Sequence, residues 1–179
     1  MSDAQIASPQ ERARCDAAVS DWAASVGISM GAPGSSTAPT VSTSSERGPA
    51  VVAVEHDPEL ARWYIRLKGE EKDVVTIWLT IRQRTLRHET HFMPAPETNI
   101  CQTYEYLLRR NATLHGMRFC LGNEDAVFLV GEMPVSEVSQ DDIDNIVGTS
   151  LEYVDATFPA AMALGYEGTY RRRPRRSTS

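Results

Sequence analysis

The stretch Asp73–Gln83, DVVTIWLTIRQ, constrains the fold more than any other part of the chain. Taken every second residue, Val75, Ile77, Leu79 and Ile81 form one wholly apolar stripe. Val74, Thr76, Trp78, Thr80 and Arg82 form the other. Successive side chains in a strand point to opposite faces, so a period of two with β-branched residues on both sides specifies a strand. The apolar stripe needs a core to sit on. The mixed stripe carries a tryptophan and needs a separate explanation. The expectation is a central strand of an antiparallel sheet.

Its neighbours in sequence extend the sheet. Arg62–Lys68 alternates Trp63, Ile65 and Leu67 with Tyr64, Arg66 and Lys68, and Gly69–Lys72 supplies a turn. Thr85–Met93 follows after a tight turn near Arg84, which gives a three-strand meander. Val51–Glu55 offers a short edge strand before the Asp57-Pro58 turn. Gly116–Leu121 and Ala126–Met133 flank Gly122-Asn123-Glu124-Asp125 and read as a β-hairpin that Pro134 stops.

Three helices are expected. Ser8-Pro9-Gln10-Glu11 has the pattern of a capping box, and Cys15, Ala18, Val19, Trp22 and Val26 then share a face up to a stop at Gly27. Thr98 is placed to cap a second helix through Arg110, with Ile100, Tyr104 and Leu107 or Leu108 on its buried side. Ser139 with Asp142 starts the third, whose apolar face is Ile143, Ile146, Val147, Leu151, Val154, Phe158 and Ala161. Pro159 removes the bond to the Asp155 carbonyl, so a kink or break is expected there, and Gly165 ends the helix. The predicted fold is α+β, in the order α-β-β-β-α-β-β-α, with a five-stranded, mostly antiparallel sheet. The first and last helices are expected to cover the Val75–Ile81 stripe.

The 179 residues suffice for one domain with extensions. The expected layout is a helix in 1–30, a Ser/Thr/Pro-rich disordered linker or loop in 31–50, the main domain in 51–167 and an Arg-rich disordered tail in 168–179. No apolar run approaches the roughly 20 residues that span a bilayer, and MSDAQIASPQERARC lacks the pattern of a secretory signal. A cytoplasmic location is expected. On that expectation the acceptor pattern Asn111-Ala112-Thr113 carries no weight. The net charge is −6, yet five arginines fall in the last ten residues; the rest of the chain holds 13 basic against 24 acidic residues. That acidic body argues against nucleic acid or a membrane as partner.

Chemistry-bearing motifs are scarce. Cys15, Cys101 and Cys120 are odd in number and far apart, which fits buried or half-buried apolar residues rather than a disulfide or zinc framework. His88-Glu89-Thr90-His91 resembles a metal motif, but an offset of three on a strand puts the two imidazoles on opposite faces, at surface or rim positions. The acidic pairs Glu70-Glu71, Glu124-Asp125 and Asp141-Asp142 sit at turns or in a first helical turn, where carboxylates are expected. Arg109-Arg110-Asn111 reads as two cations at a helix C-terminus followed by a left-handed cap. No nucleophile elbow, phosphate loop or dinucleotide fingerprint occurs, so no catalytic, cofactor or metal residues are assigned. Arg171–Arg176 could tether the chain to an anionic surface, or fold back on the acidic body. Tyr64, Trp78 and Phe128 all fall opposite the apolar stripes. Either a helix covers them, or they form a partner or dimer surface, where aromatics are enriched.

The strands WYIRLKG and VVTIWLTIRQ, the helix end YEYLLRRN, the hairpin MRFCLGNEDAVFLVGEMP and the final helix DDIDNIVGTSLEYVDATF, running from Trp63 to Tyr166, resemble the YbjN-like family. That family is related in fold to the small chaperones of type III secretion systems. The resemblance implies no catalytic residue and no cofactor. It implies a protein-binding or regulatory module, and the related chaperones are acidic, often dimeric and bind client polypeptide. The leading expectation is a non-enzymatic protein-binding module, with a protein partner or a homodimer met through Tyr64, Trp78 and Phe128. The alternatives are a small enzyme or metal protein using His88 and His91, and a tether through the tail.

Overall fold

The computed structural model describes residues 7–31 and 50–172. The expected linker, apart from its ends, and the last seven residues of the tail lie outside the described residues. The elements run α1 (Pro9–Ser25), β1 (Met30–Gly31), β2 (Ala50–Asp57), β3 (Arg62–Lys68), β4 (Val74–Ile81), β5 (Thr85–Met93), α2 (Ile100–Asn111), β6 (Met117–Leu121), β7 (Val127–Pro134) and α3 (Gln140–Gly165). All five expected strands are present. The sheet nevertheless has seven strands, in the order β1-β2-β3-β4-β5-β7-β6. The possible edge strand extends to eight residues and pairs with β3, and two residues of β1 add to it in parallel. Every other pairing is antiparallel. The opening stretch, β4, is the middle strand.

Register fixes which side chains share a face. Trp63, Ile65 and Leu67 stand opposite Leu79, Ile77 and Val75, and Leu79 and Ile77 stand opposite His88 and Thr90. His88 and Thr90 in turn stand opposite Gly131 and Leu129. Those residues are buried and, with Phe92, Met117 and Phe119, form the sheet side of the core. The helices supply the other side. The last helix, α3, lies on β4 and β5 as expected, whereas α1 packs chiefly on α3. Trp22 of α1 reaches across it, its indole N–H donating to Asp144 at 3.0 Å.

Local chemistry explains the helix ends. Both capping boxes form, Ser8 with Glu11 and Ser139 with Asp142, each satisfying donors that the first helical turn leaves open. The second helix departs from expectation. Asn99, not Thr98, is its first flanking residue, in a left-handed conformation, because Thr98 and Asn99 serve α3 instead. Thr98 Oγ1 and Asn99 Nδ2 donate to the Leu164 carbonyl at 3.0 and 3.1 Å, and the Glu97 and Thr98 amides donate to the Gly165 carbonyl. The end of α3 thus receives donors for carbonyls that a helix C-terminus leaves open. In α2 the buried residues are Thr103 and Leu107; Ile100 and Leu108 are exposed. In α3 Ser150 and Thr157 take buried positions while Leu151 and Phe158 are half-buried. The helix continues through Pro159 to Gly165.

Asn111 is the last residue of α2 rather than a left-handed cap; the flanking residue is Ala112, in the right-handed region. Its side-chain amide grips Phe119 of β6 twice, accepting from its N–H at 2.7 Å and donating to its carbonyl at 3.1 Å. The turn before β4 is held from below by Asp155 of α3, whose carboxylate accepts the Glu70 and Glu71 amides at 3.1 and 3.0 Å. A Cβ on Gly69 would stand 2.3 Å from the Lys72 carbonyl oxygen, so this turn requires glycine.

Candidate interaction surface

The second face of the sheet carries no described helix. Its side chains follow from the same register. One row across the strands reads Glu55, Tyr64, Trp78, Glu89, Val130 and Arg118. The next reads Arg62, Thr80, Arg87 and Glu132. On the other side of the first row lie Arg66 opposite Thr76, and His91 opposite Phe128. Tyr64, Trp78 and Phe128 are therefore brought onto one surface, as their alternation predicts, and all three are half-buried.

Contacts within the face order it. The Trp78 and Phe128 rings lie 6.1 Å apart at 46°, and His91 meets Phe128 edge-on at 5.3 Å. The Arg62 guanidinium stands 5.7 Å from the Trp78 ring centre and donates to Thr80 Oγ1 at 2.9 Å. A cation over an indole face is attracted by the ring quadrupole. Arg87 bridges Glu89 and Glu132, the latter at 3.0 Å, and Arg66 pairs with Glu55 at 3.2 Å. Val130 is buried without belonging to the helical core, because the surrounding side chains of this face enclose it. The result is a small apolar centre held in place by a rim of charges.

The two histidines do lie on opposite faces. His88, however, is a core residue rather than a rim residue. Its ring occupies the space a side chain on Gly131 would need: a Cβ there would stand 2.2 Å from the imidazole. Burial holds its pKa down at about 4. His91 is also lowered, by burial first and then by Lys72. Among the described residues no group of three or more His, Cys, Asp or Glu is placed to hold a metal. Of the cysteines, Cys15 is buried and Cys120 half-buried, but Cys101 is exposed on α2.

The remaining candidates resolve into structural contacts. Arg109 pairs with Glu105 one turn earlier at 2.6 Å. Arg172 folds back onto the acidic body and pairs with Glu71. Lys72 is half-buried against the carbonyls of His91 and Phe92, and desolvation lowers its pKa to about 8. Two shallow grooves, about 550 and 370 Å³, flank Tyr170 near this contact and away from the aromatic face. Sequence reasoning missed the partners of the aromatics: Arg62, Arg87, Glu89, His91, Val130 and Arg118. The available signal was position parity, since on every strand the residues in step with Tyr64, Trp78 and Phe128 share their face. The pairing register needed to join them across strands is not written in any one strand. Among the described residues no helix is long and apolar enough to cross a membrane.

Comparison with known proteins finds relatives and a family for this chain. Uncharacterized proteins of Mycobacterium tuberculosis and Mycobacterium bovis are 34% identical over 108 residues, covering 60% of this chain and 59% of their own length. An uncharacterized protein of Mycobacterium leprae is 30% identical over 110 residues, covering 62% of this chain and 60% of its own. The chain thus matches about three fifths of the length of these relatives. The model of the YbjN family, described as "Putative bacterial sensory transduction regulator", matches residues 49–162, from the start of β2 into the last turns of α3. The chain belongs to the YbjN family.

Proposed function

We propose that the protein is a non-enzymatic protein-binding module with a regulatory role, and that the helix-free sheet face is its contact surface. The observation that carries this reading is the half-buried cluster of Tyr64, Trp78 and Phe128, ordered by Arg62 and His91 and rimmed by paired charges. Pre-ordered aromatics at the centre of a face lose little entropy on binding and exclude water well. The family description supports regulation at the same coarse level. Kinship in fold with the small chaperones of type III secretion systems belongs to the same proposal and rests on the family resemblance read from the sequence.

The test uses the three tryptophans. Trp22 and Trp63 are buried and Trp78 is half-exposed, so acrylamide quenches chiefly Trp78. Sedimentation and quenching of the wild type, alone and in complexes isolated with it, should show Trp78 shielded on association. Trp78→Ala should abolish that association while its melting curve stays cooperative. An unchanged set of partners and an unchanged mass for Trp78→Ala would refute this use of the face.

A further inference from the structure

The charges of the open face are unequal in a way that selects a partner. Five cations lie on it, Arg62, Arg66, Lys68, Arg87 and Arg118, against the acids Glu55, Glu89 and Glu132. Asp57, at the strand end, is turned into its own loop, accepting the Glu59 and Leu60 amides. All three acids are already paired, Glu55 with Arg66 and both Glu89 and Glu132 with Arg87. Among the described residues no carboxylate lies within ion-pair distance of Arg62, Lys68 or Arg118. The opposite layer has the reverse character. The third helix carries Asp141, Asp142, Asp144, Glu152 and Asp155 and no Lys or Arg at all. A chain with net charge −6 therefore keeps a locally positive surface on this face, which also holds its ordered aromatics.

We infer that the open face binds a short acidic polypeptide segment that also presents an apolar side chain. This rests on the proposed protein-binding use of that face and names the partner's chemistry. From β3 to β6 the face spans four strand spacings, about 19 Å at roughly 4.8 Å each, or about six residues of extended chain. The apolar side chain of such a segment fills the centre around Trp78 and Phe128, and its carboxylates reach Arg118 at one side and Lys68 or Arg62, which stand at opposite ends of β3, at the other. Cations that no carboxylate of the face pairs favour an acidic ligand and penalise a basic one.

The other polyanion that suits basic, aromatic sheets is single-stranded nucleic acid, whose bases stack on open rings. Two observations favour protein. The Trp78 ring already carries the Arg62 guanidinium where a base would stack. The paired carboxylates of Glu55, Glu89 and Glu132 interrupt the row of cations that one charge per nucleotide would need, whereas a peptide can place its carboxylates at the ends of that row.

The experiment is a fluorescence-anisotropy titration of the full chain with three labelled probes: an eight-residue peptide alternating Asp or Glu with Leu, its Lys counterpart, and an eight-nucleotide oligo-dT. The acidic peptide should bind, shift the Trp78 indole resonance, and lose affinity as salt rises. Lys68→Glu combined with Arg118→Glu should weaken it at least tenfold, whereas Lys68→Arg with Arg118→Lys should retain it. Both positions are exposed, and matching melting curves exclude misfolding. Preferential binding of the Lys peptide or of oligo-dT overturns the inference, the first leaving the protein-binding reading intact. Self-association that shields Trp78 without peptide binding does the same. If no probe binds and Trp78 stays open at every concentration, both readings fall.

Discussion

The two faces of this sheet are built from the same strands and differ in almost everything else. Ile77 and Trp78 are adjacent in sequence; Ile77 is fully buried under the helices and Trp78 is half-buried with no described helix over it. On the closed face side chains touch residues brought from three helices. On the open face, among the described residues, they touch chiefly one another, through ring contacts and ion pairs. The closed face is therefore a product of tertiary assembly, whereas the open face is organised by the sheet alone. Function that needs a ready-made surface is cheapest to place on the second kind, since nothing has to move aside.

That contrast predicts a large asymmetry in mutational cost. Ile77→Ala removes a buried side chain from a close-packed core and should cost about 2–5 kcal/mol. Trp78→Ala removes a half-solvated ring from the open face and should cost about 1 kcal/mol, near the average for single substitutions. Urea unfolding of both variants decides the matter; equal losses would mean that the open face is as much core as the closed one.

Titration separates the faces next. His88 in the closed face has a folded pKa of about 4, below the usual 6.5 of an imidazole. Between those values the unfolded chain binds a proton that the folded chain refuses, so stability falls as pH drops through that window. The full shift corresponds to about 3 kcal/mol. His88→Gln should flatten the dependence of unfolding free energy between pH 6.5 and 4. His91→Gln, in the more open setting, should change it less. A wild-type profile that is already flat there would contradict the burial of His88.

The smallest effect belongs to the rim. Arg66→Ala breaks an ion pair with Glu55 at a solvent-exposed position and should change stability by about 0.5 kcal/mol or less. A loss several times larger would show that the rim charges act as one network rather than as independent pairs.

Much of this fold was legible. Period-two alternation in Arg62–Lys68 and Asp73–Gln83 is a local property, and so are the Ser8 and Ser139 capping boxes; all formed. What escaped depends on distant chain. Thr98 fits a cap by itself, but the end of α3 claims it. His88 has the polarity of a rim residue, yet Gly131 opposite leaves room for its ring inside the core. Thr157 and Ser150 look like surface positions on α3 but are buried. The three aromatics were found because parity within a strand suffices to place them. Their arginine and glutamate neighbours were not, because joining strands requires the register.

Asn111 carries a final consequence. Its amide imitates a peptide unit and occupies both hydrogen-bonding groups that Phe119 would offer to an eighth strand. At that border the lattice is blocked at the middle residue of β6, which hinders growth by strand addition, the route by which edge strands lead to fibres. Stacking flat upon the aromatic face remains open, so geometry on this side channels encounters into discrete complexes instead of indefinite ones.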